Sequence, residues 1–296
     1  MNIVLIILSI AAFSATSIST RAFQLKCSKS KRDICLFQSL FCFVGAAAYF
    51  IKAGMRLQLS AAHLVMAMLF GVFFASASLF SAFCYEIGPM SLTSVIENSS
   101  VIIPVVYSCM LLNENVTLFQ KIGFALLIAT FVLSAFQGGS DDNRKKAGFL
   151  WFVFVLIGFF SNGITAVLQK QYKLAQPDAD GSGFMGIAYL TAAVVLALAF
   201  ALKRKDGSDE NAESAFRLSP LCVLFVVCAG LGSFVGNAVL MRLSTELPAA
   251  LLYPFVNGGL CVAVSIFSLA FFREKLTFSK ACTIAVGITS IVFLNI

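Results

Sequence analysis

Long apolar runs, broken by short polar or charged stretches, make up almost the whole chain. Read for those runs, the sequence predicts ten helical segments, at 2–20, 34–51, 62–86, 91–112, 118–137, 147–170, 183–202, 217–243, 248–272 and 278–295. A helix needs roughly 20 apolar residues to cross the hydrocarbon core, and these runs are of that length. The longest polar interruptions are "QLKCSKSKRD", "GGSDDNRKK", "KLAQPDADGSG" and "KRKDGSDENAESAFR". The second of them falls at the midpoint. It divides the chain into residues 1–137, with five segments, a connecting loop at 138–146, and residues 147–296, with five more.

The two halves repeat each other. "GPMSLTSVIENSSVIIPVVYSCMLLNENVTLFQ" from Gly88 and "LPAALLYPFVNGGLCVAVSIFSLAFFREKLTFSK" from Leu247 share a proline in second place and an Asn nine residues later. Both close on a Glu-x-x-Thr turn. Pro89 aligns with Pro248, Asn98 with Asn257, Glu114 with Glu274 and Thr117 with Thr277, with one residue slipped between the Asn and the Glu. Segment one also aligns with segment six: "FSATSISTRAFQLK" matches "FSNGITAVLQKQYK" at an offset of 147. Because five is odd, the second half enters the membrane from the opposite side, the inverted-repeat arrangement common in secondary transporters.

Composition agrees. The chain is 59% hydrophobic and 12% charged, about half the charged share of a soluble domain. Fifteen of the 21 Lys and Arg fall in odd-numbered loops, which the positive-inside rule assigns to the cytoplasm, with both termini outside. The net charge of +7 is therefore a topology signal and not a nucleic-acid footprint. The first run, "MNIVLIILSIAAFSA", has no preceding Lys or Arg and is expected to be a retained helix. The nine cysteines show no C-x-x-C pair and lie mostly in apolar runs. They are expected to act as small hydrophobes, without a disulfide framework or a metal site.

Few polar groups remain inside the segments. All seven Asp lie in loops, and of the seven Glu only Glu97 lies well inside a segment. A retained intramembrane carboxylate usually faces a cavity; the alternative is a protonated or snorkelling side chain near the interface. Asn98 and Asn257 each bring donors and acceptors that lipid cannot satisfy, and inverted symmetry would carry both toward the midplane. Their alternative role is to join neighbouring helices. Pro104 and Pro254 each free a carbonyl one turn back and are expected to kink their helices, and Tyr253 lies one turn before Asn257. Ser161, Asn162, Thr165 and Gln169 form a stripe at helical spacing on segment six, either lining a passage or bonding back to their own helix. Segment one offers Ser14, Ser17 and Arg21. Asn237 follows Gly232-x-x-x-Gly236, a small-residue pair suited to close packing more than to binding. Trp151 and Tyr85, near segment ends, read as interface anchors, and His63 as interfacial. No constellation supports catalysis or a metal, so neither an enzyme nor a cofactor is expected.

The stretch "YEIGPMSLTSVIENSSVIIPVVYSCMLLNENVTLFQKIGFALLIATFVL", Tyr85 to Leu133, and its counterpart from "LPAALLYPFVNGG" to "FREKLTFSKACTIAVGITSIVF" resemble the drug/metabolite transporter superfamily, EamA type. The resemblance covers nearly the whole chain. It implies ten helices around a central cavity lined by segments one, three, four, six, eight and nine, open to one side at a time. It also implies secondary transport of small metabolites, often export of amino acids or related solutes. Glu114 and Glu274 then fall in short turns, as charged caps. Two departures are plain: segment one carries no acidic residue, and reads "AFSATS" where the family often has Trp-Gly.

The expected fold class is an all-α integral membrane protein with ten transmembrane helices as two inverted five-helix repeats, multi-pass in the plasma membrane (the inner membrane of a bacterium). The expected function is secondary transport of a small polar metabolite, the alternative a non-transporting scaffold or accessory subunit. The expected substrate-binding residues are Glu97, Asn98, Ser161, Asn162, Thr165, Gln169, Tyr253 and Asn257. Expected partners are the small-molecule substrate, with a coupling proton as an option, membrane lipid and, as an open option, a second copy of the chain. Nucleic acid is not expected.

Overall fold

The structure, a computed structural model, describes residues 2–28, 30–54, 59–111, 117–136, 142–202, 219–246, 256–260, 263–264, 266–267 and 278–294. Within them the chain is all-α, with no strand. The helices are α1 (Asn2–Lys26), α2 (Lys31–Lys52), α3 (Ala61–Ile87), α4 (Met90–Asn98), α5 (Ile102–Leu111), α6 (Leu118–Phe136), α7 (Asp142–Ala175), α8 (Ser182–Leu202), α9 (Pro220–Glu246) and α10 (Phe278–Leu294). Of segment nine, residues 256–260, 263–264 and 266–267 are described as helical.

Six of these helices (α1, α2, α3, α7, α8 and α9) are long and apolar enough to cross a membrane. Their outer faces agree with lipid surroundings. Ile3, Ile51, Phe149 and Leu202 are 73%, 79%, 71% and 83% exposed, on surfaces where polar residues would be expected in water. This is a multi-pass membrane protein.

Local chemistry sets the helix starts. Ser30 caps α2 through a capping box: its hydroxyl accepts from the Asp33 N–H, and the Asp33 carboxylate accepts from the Ser30 N–H. Ser60 caps α3 by accepting from the His63 N–H at 3.4 Å. α7 begins at Asp142, inside the predicted connecting loop, and runs to Ala175. Segment four, predicted as one helix, is broken. α4 passes through a single 3₁₀ turn at Ser99–Val101 before α5 resumes. Pro104 has no N–H to return to the Ser100 carbonyl, which disrupts the α-helical ladder at that turn.

Five pairings dominate the packing: α1 on α9, α2 on α8, α3 on α7, α6 on α10 and α3 on α8. Each joins a helix of the first 137 residues to one that begins at Asp142 or later. In lipid, such contacts depend on close packing and interhelical hydrogen bonds, and both are present. Ser9 Oγ donates to the Gly236 carbonyl, Thr16 Oγ1 to the Ala229 carbonyl (3.1 Å), Ser39 Oγ to the Ala193 carbonyl (2.8 Å) and Ser290 Oγ to the Gly123 carbonyl (2.8 Å). Gly232 and Gly236 serve packing as expected. A Cβ at Gly232 would lie 2.6 Å from the Ala12 carbonyl oxygen, and one at Gly236 2.8 Å from the Phe13 ring.

The largest buried cluster gathers Phe37, Tyr49, Phe70, Phe184 and Tyr189 between α2, α3, α8 and α9. At one end of it, Lys52 pairs with Asp180 at 3.0 Å. Partial burial favours the neutral Asp180 carboxyl. Hydrogen bonds from Ser182 and Lys52, with the charges of Lys52 and Lys173, outweigh that and hold it below the ordinary carboxylate range.

Three sequence expectations are corrected here. Cys27, just past the end of α1, and Cys222, in the first turn of α9, form a disulfide rather than acting as separate hydrophobes. Trp151 is no interface anchor: it is 5% exposed, its indole N–H donating to Thr93 Oγ1 at 3.0 Å. Tyr85 is likewise buried.

Candidate functional site

A cavity of about 250 Å³ lies among the helices. Its wall comes from α1, α2, α3, the α4–α5 break, α7, α9 and residues 256–260. The sequence explains why it is polar. On α3, Ser78, Ser81 and Tyr85 recur at spacings of three and four, facing it, while Phe70 and Phe74 continue the same stripe as an apolar wall. On α7, Asn162, Thr165 and Gln169 do the same. On α9, Ser233 and Asn237 are one turn apart.

Glu97 is the acid of this wall. It is 5% exposed, and its Oε1 accepts from Ser81 Oγ at 2.6 Å. On another side it faces the backbone of α7. A Cβ at Gly158 would lie 2.7 Å from that same Oε1, so the missing side chain at 158 leaves the carboxylate its room. Gln38 and Ser78 form a second polar pair, Ser78 Oγ donating to Gln38 Oε1 at 2.6 Å.

Asn237 is held from behind. Its amide nitrogen donates to Tyr189 Oη and to the Ser233 carbonyl, both at 3.0 Å. A backbone carbonyl can only accept, so this geometry fixes which way the amide points. Both amide hydrogens are committed, and the Oδ1 acceptor is what remains for the cavity. Tyr189 Oη is also hydrogen-bonded to Ser233 Oγ. Gln169 is 6% exposed, and its Nε2 is buried with no hydrogen-bond partner.

Of the expected site residues, Glu97, Asn98, Asn162, Thr165, Gln169 and Asn257 all line this cavity. Ser161 does not; it is 5% exposed and lies off the lining face of α7. Tyr253 lies outside the described residues. Thr165 Oγ1 donates to the Asn162 carbonyl at 2.7 Å, so its hydroxyl proton is spent on its own helix. On α1, Ser17 lines the cavity with Thr16 and Thr20, whereas Ser14 and Arg21 are not in the wall. Arg21 Nη1 donates to Gln24 Oε1 at 3.5 Å.

Sequence reading passes over Gln38, Ser78, Ser81 and Ser233, and takes Asn237 for packing and Tyr85 for an anchor. The α3 stripe carries a signal, the regular return of Ser78, Ser81 and Tyr85 among Phe and Ala. Asn237 carries none, since nothing in the sequence places Tyr189 behind it.

No family model and no curated protein matches the sequence. Among solved structures, a crystal structure described only as that of a protein is similar in fold, with a TM-score of 0.64 over 99% of this chain and 96% of that one. At 12% identity, that likeness shows the fold alone.

Proposed function

We propose that the chain is a secondary transporter that carries a small polar organic solute by alternating access between two inverted five-helix halves, residues 1–137 and 147–296. The observation that carries this reading is the polar cavity itself. Six side chains singled out from the sequence, on both halves of the chain, line one space inside an otherwise apolar protein. Polar and ionisable groups are costly there, and gather where a passage or binding site needs them.

The helix pairing supports the inverted repeat. Exchanging each segment for its counterpart five places along turns the α1–α9 contact into α7–α3, and α2–α9 into α8–α3. It leaves α2–α8 and α6–α10 unchanged. Segment nine also meets segment one, where a Cβ at Gly259 would lie 2.4 Å from Ile10 Cδ1, as segment four meets segment six through α4 and α7. The resemblance to the drug/metabolite transporter superfamily points the same way and favours an amino-acid-like or similar cargo, exported across the plasma membrane. Glu97 is the place in the wall where a coupling proton would sit.

One observation favours the rival scaffold reading: several hydroxyls of the wall, among them those of Thr16, Thr20 and Thr165, donate to backbone carbonyls, as groups that only hold helices would. The two readings separate in an untargeted comparison of solutes inside and outside cells expressing the wild type, Asn98→Ala and Asn257→Ala at matched membrane levels. Transport predicts a solute redistributed by the wild type and not by either variant, with folding kept. Profiles that all match the empty control, together with lowered stability of the variants, would leave only the scaffold.

A further inference from the structure

The cavity wall has a charge sign. Among the described residues its acid, Glu97, is joined by no Lys, Arg or His. The chain between Arg242 and Arg273, which includes the undescribed residues on either side of Asn257, contains no basic residue either. One hydroxyl, Ser81, donates to the carboxylate. A carboxylate that far from water needs a proton or a cation for compensation.

The rest of the wall suits a cation with an apolar body. Phe13, Phe41, Phe70 and Phe74 line the same space. Aromatic rings accept both hydrocarbon and, over their faces, positive charge. Asn237 adds an acceptor and no donor, because Tyr189 and the Ser233 carbonyl hold both of its amide hydrogens. Among the described residues, a cargo carboxylate would find no counter-charge in this wall and would face Glu97.

We propose that the cavity binds a small organic monocation, an amine on an apolar body, with its ammonium paired to Glu97 and its body against the phenylalanines of α1, α2 and α3. This deepens the transport reading above and rests on it for every step after binding. It narrows the cargo from amino-acid-like solutes in general to amines without a carboxylate.

Four probes share a phenyl ring and a short arm and differ in charge: phenethylamine, phenylalanine, phenylacetate and phenethyl alcohol. Their binding is measured by calorimetry on the purified full chain in detergent at neutral pH, for the wild type, Glu97→Gln and Glu97→Asp, each first shown to be monodisperse. Phenethylamine is expected to bind the wild type at least ~10-fold more tightly than phenylalanine or phenylacetate. Glu97→Gln is expected to remove that preference and weaken the amine by at least ~10-fold, while Glu97→Asp retains it. Phenylalanine binding as tightly as the amine, an unchanged amine affinity in Glu97→Gln, or no binding of any probe overturns the proposal.

Counterflow in liposomes containing the wild type keeps the two readings apart. Glu97-dependent amine binding without amine counterflow leaves the site standing and removes transport. Counterflow of phenylalanine without amine binding leaves transport standing and removes the amine site.

Discussion

Gly158→Leu is expected to abolish cargo movement while the helical fold persists. The added Cβ would lie 2.7 Å from Glu97 Oε1, 3.5 Å from its Cδ and 3.7 Å from its Cγ, and leucine adds three further carbons beyond that point. What yields is the free end of a flexible side chain. The carboxylate is pushed off Ser81 and away from α7; the Cβ itself costs helix packing little, and the further carbons add at most the roughly 1–3 kcal/mol of overpacking. Gly158→Ala does the same to a lesser degree and is expected to lower the transport rate about 10-fold, equivalent to ~1.4 kcal/mol. Flux in liposomes, set against circular dichroism and the gel-filtration profile, checks both. Wild-type flux in Gly158→Leu would mean that the position of the Glu97 carboxylate is immaterial.

Gly71→Ala is expected to do the opposite, damaging the fold. Its Cβ would lie 2.4 Å from the Ala188 carbonyl oxygen and 2.7 Å from Thr191 Cβ. A backbone oxygen inside a helix cannot swing aside, so α3 and α8 must separate. That opens the cluster of Phe70, Phe184 and Tyr189 around them. Overpacking of this kind costs roughly 1–3 kcal/mol, and a backbone clash belongs at the upper end. Gly186→Ala is the control, since the nearest atoms to its Cβ belong to the movable Phe50 ring, at 3.0 Å. Thermal unfolding in detergent should show a clear drop for position 71 and a small one for 186. Equal midpoints for the two variants would refute the backbone argument.

These two glycines mark what sequence reading reaches. Apolar run length locates the helices, because a membrane helix is defined by the solvent around it, and the predicted starts of α2, α3, α6, α8 and α10 fall within three residues of those observed. The Asn98 and Asn257 repeat leads to the cavity, because a polar group in lipid needs a reason to be there. Ser161 departs from expectation because it and Asn162 are neighbours 100° apart on a helix, and the stripe alone does not say which of them faces inward. Gly158 and Gly71 look identical in sequence; which neighbour each one admits is a property of tertiary packing. Asn237 escapes for the same reason, since its role depends on Tyr189, 48 residues away.

The Cys27–Cys222 bond has a consequence for the cell. It joins loop one to the first turn of α9, where loop seven ends, on the face that the Lys and Arg count assigns to the cytoplasm. Glutathione and thioredoxin keep thiols reduced there, whereas the far side of the membrane preserves disulfides. The bond is therefore a natural reporter of sidedness. An oxidised pair in freshly isolated membranes, trapped by acid before thiol labelling, puts odd loops outside and reverses the charge assignment. Two free thiols put those loops inside, and leave α1 and α9 untethered at that end in the working protein.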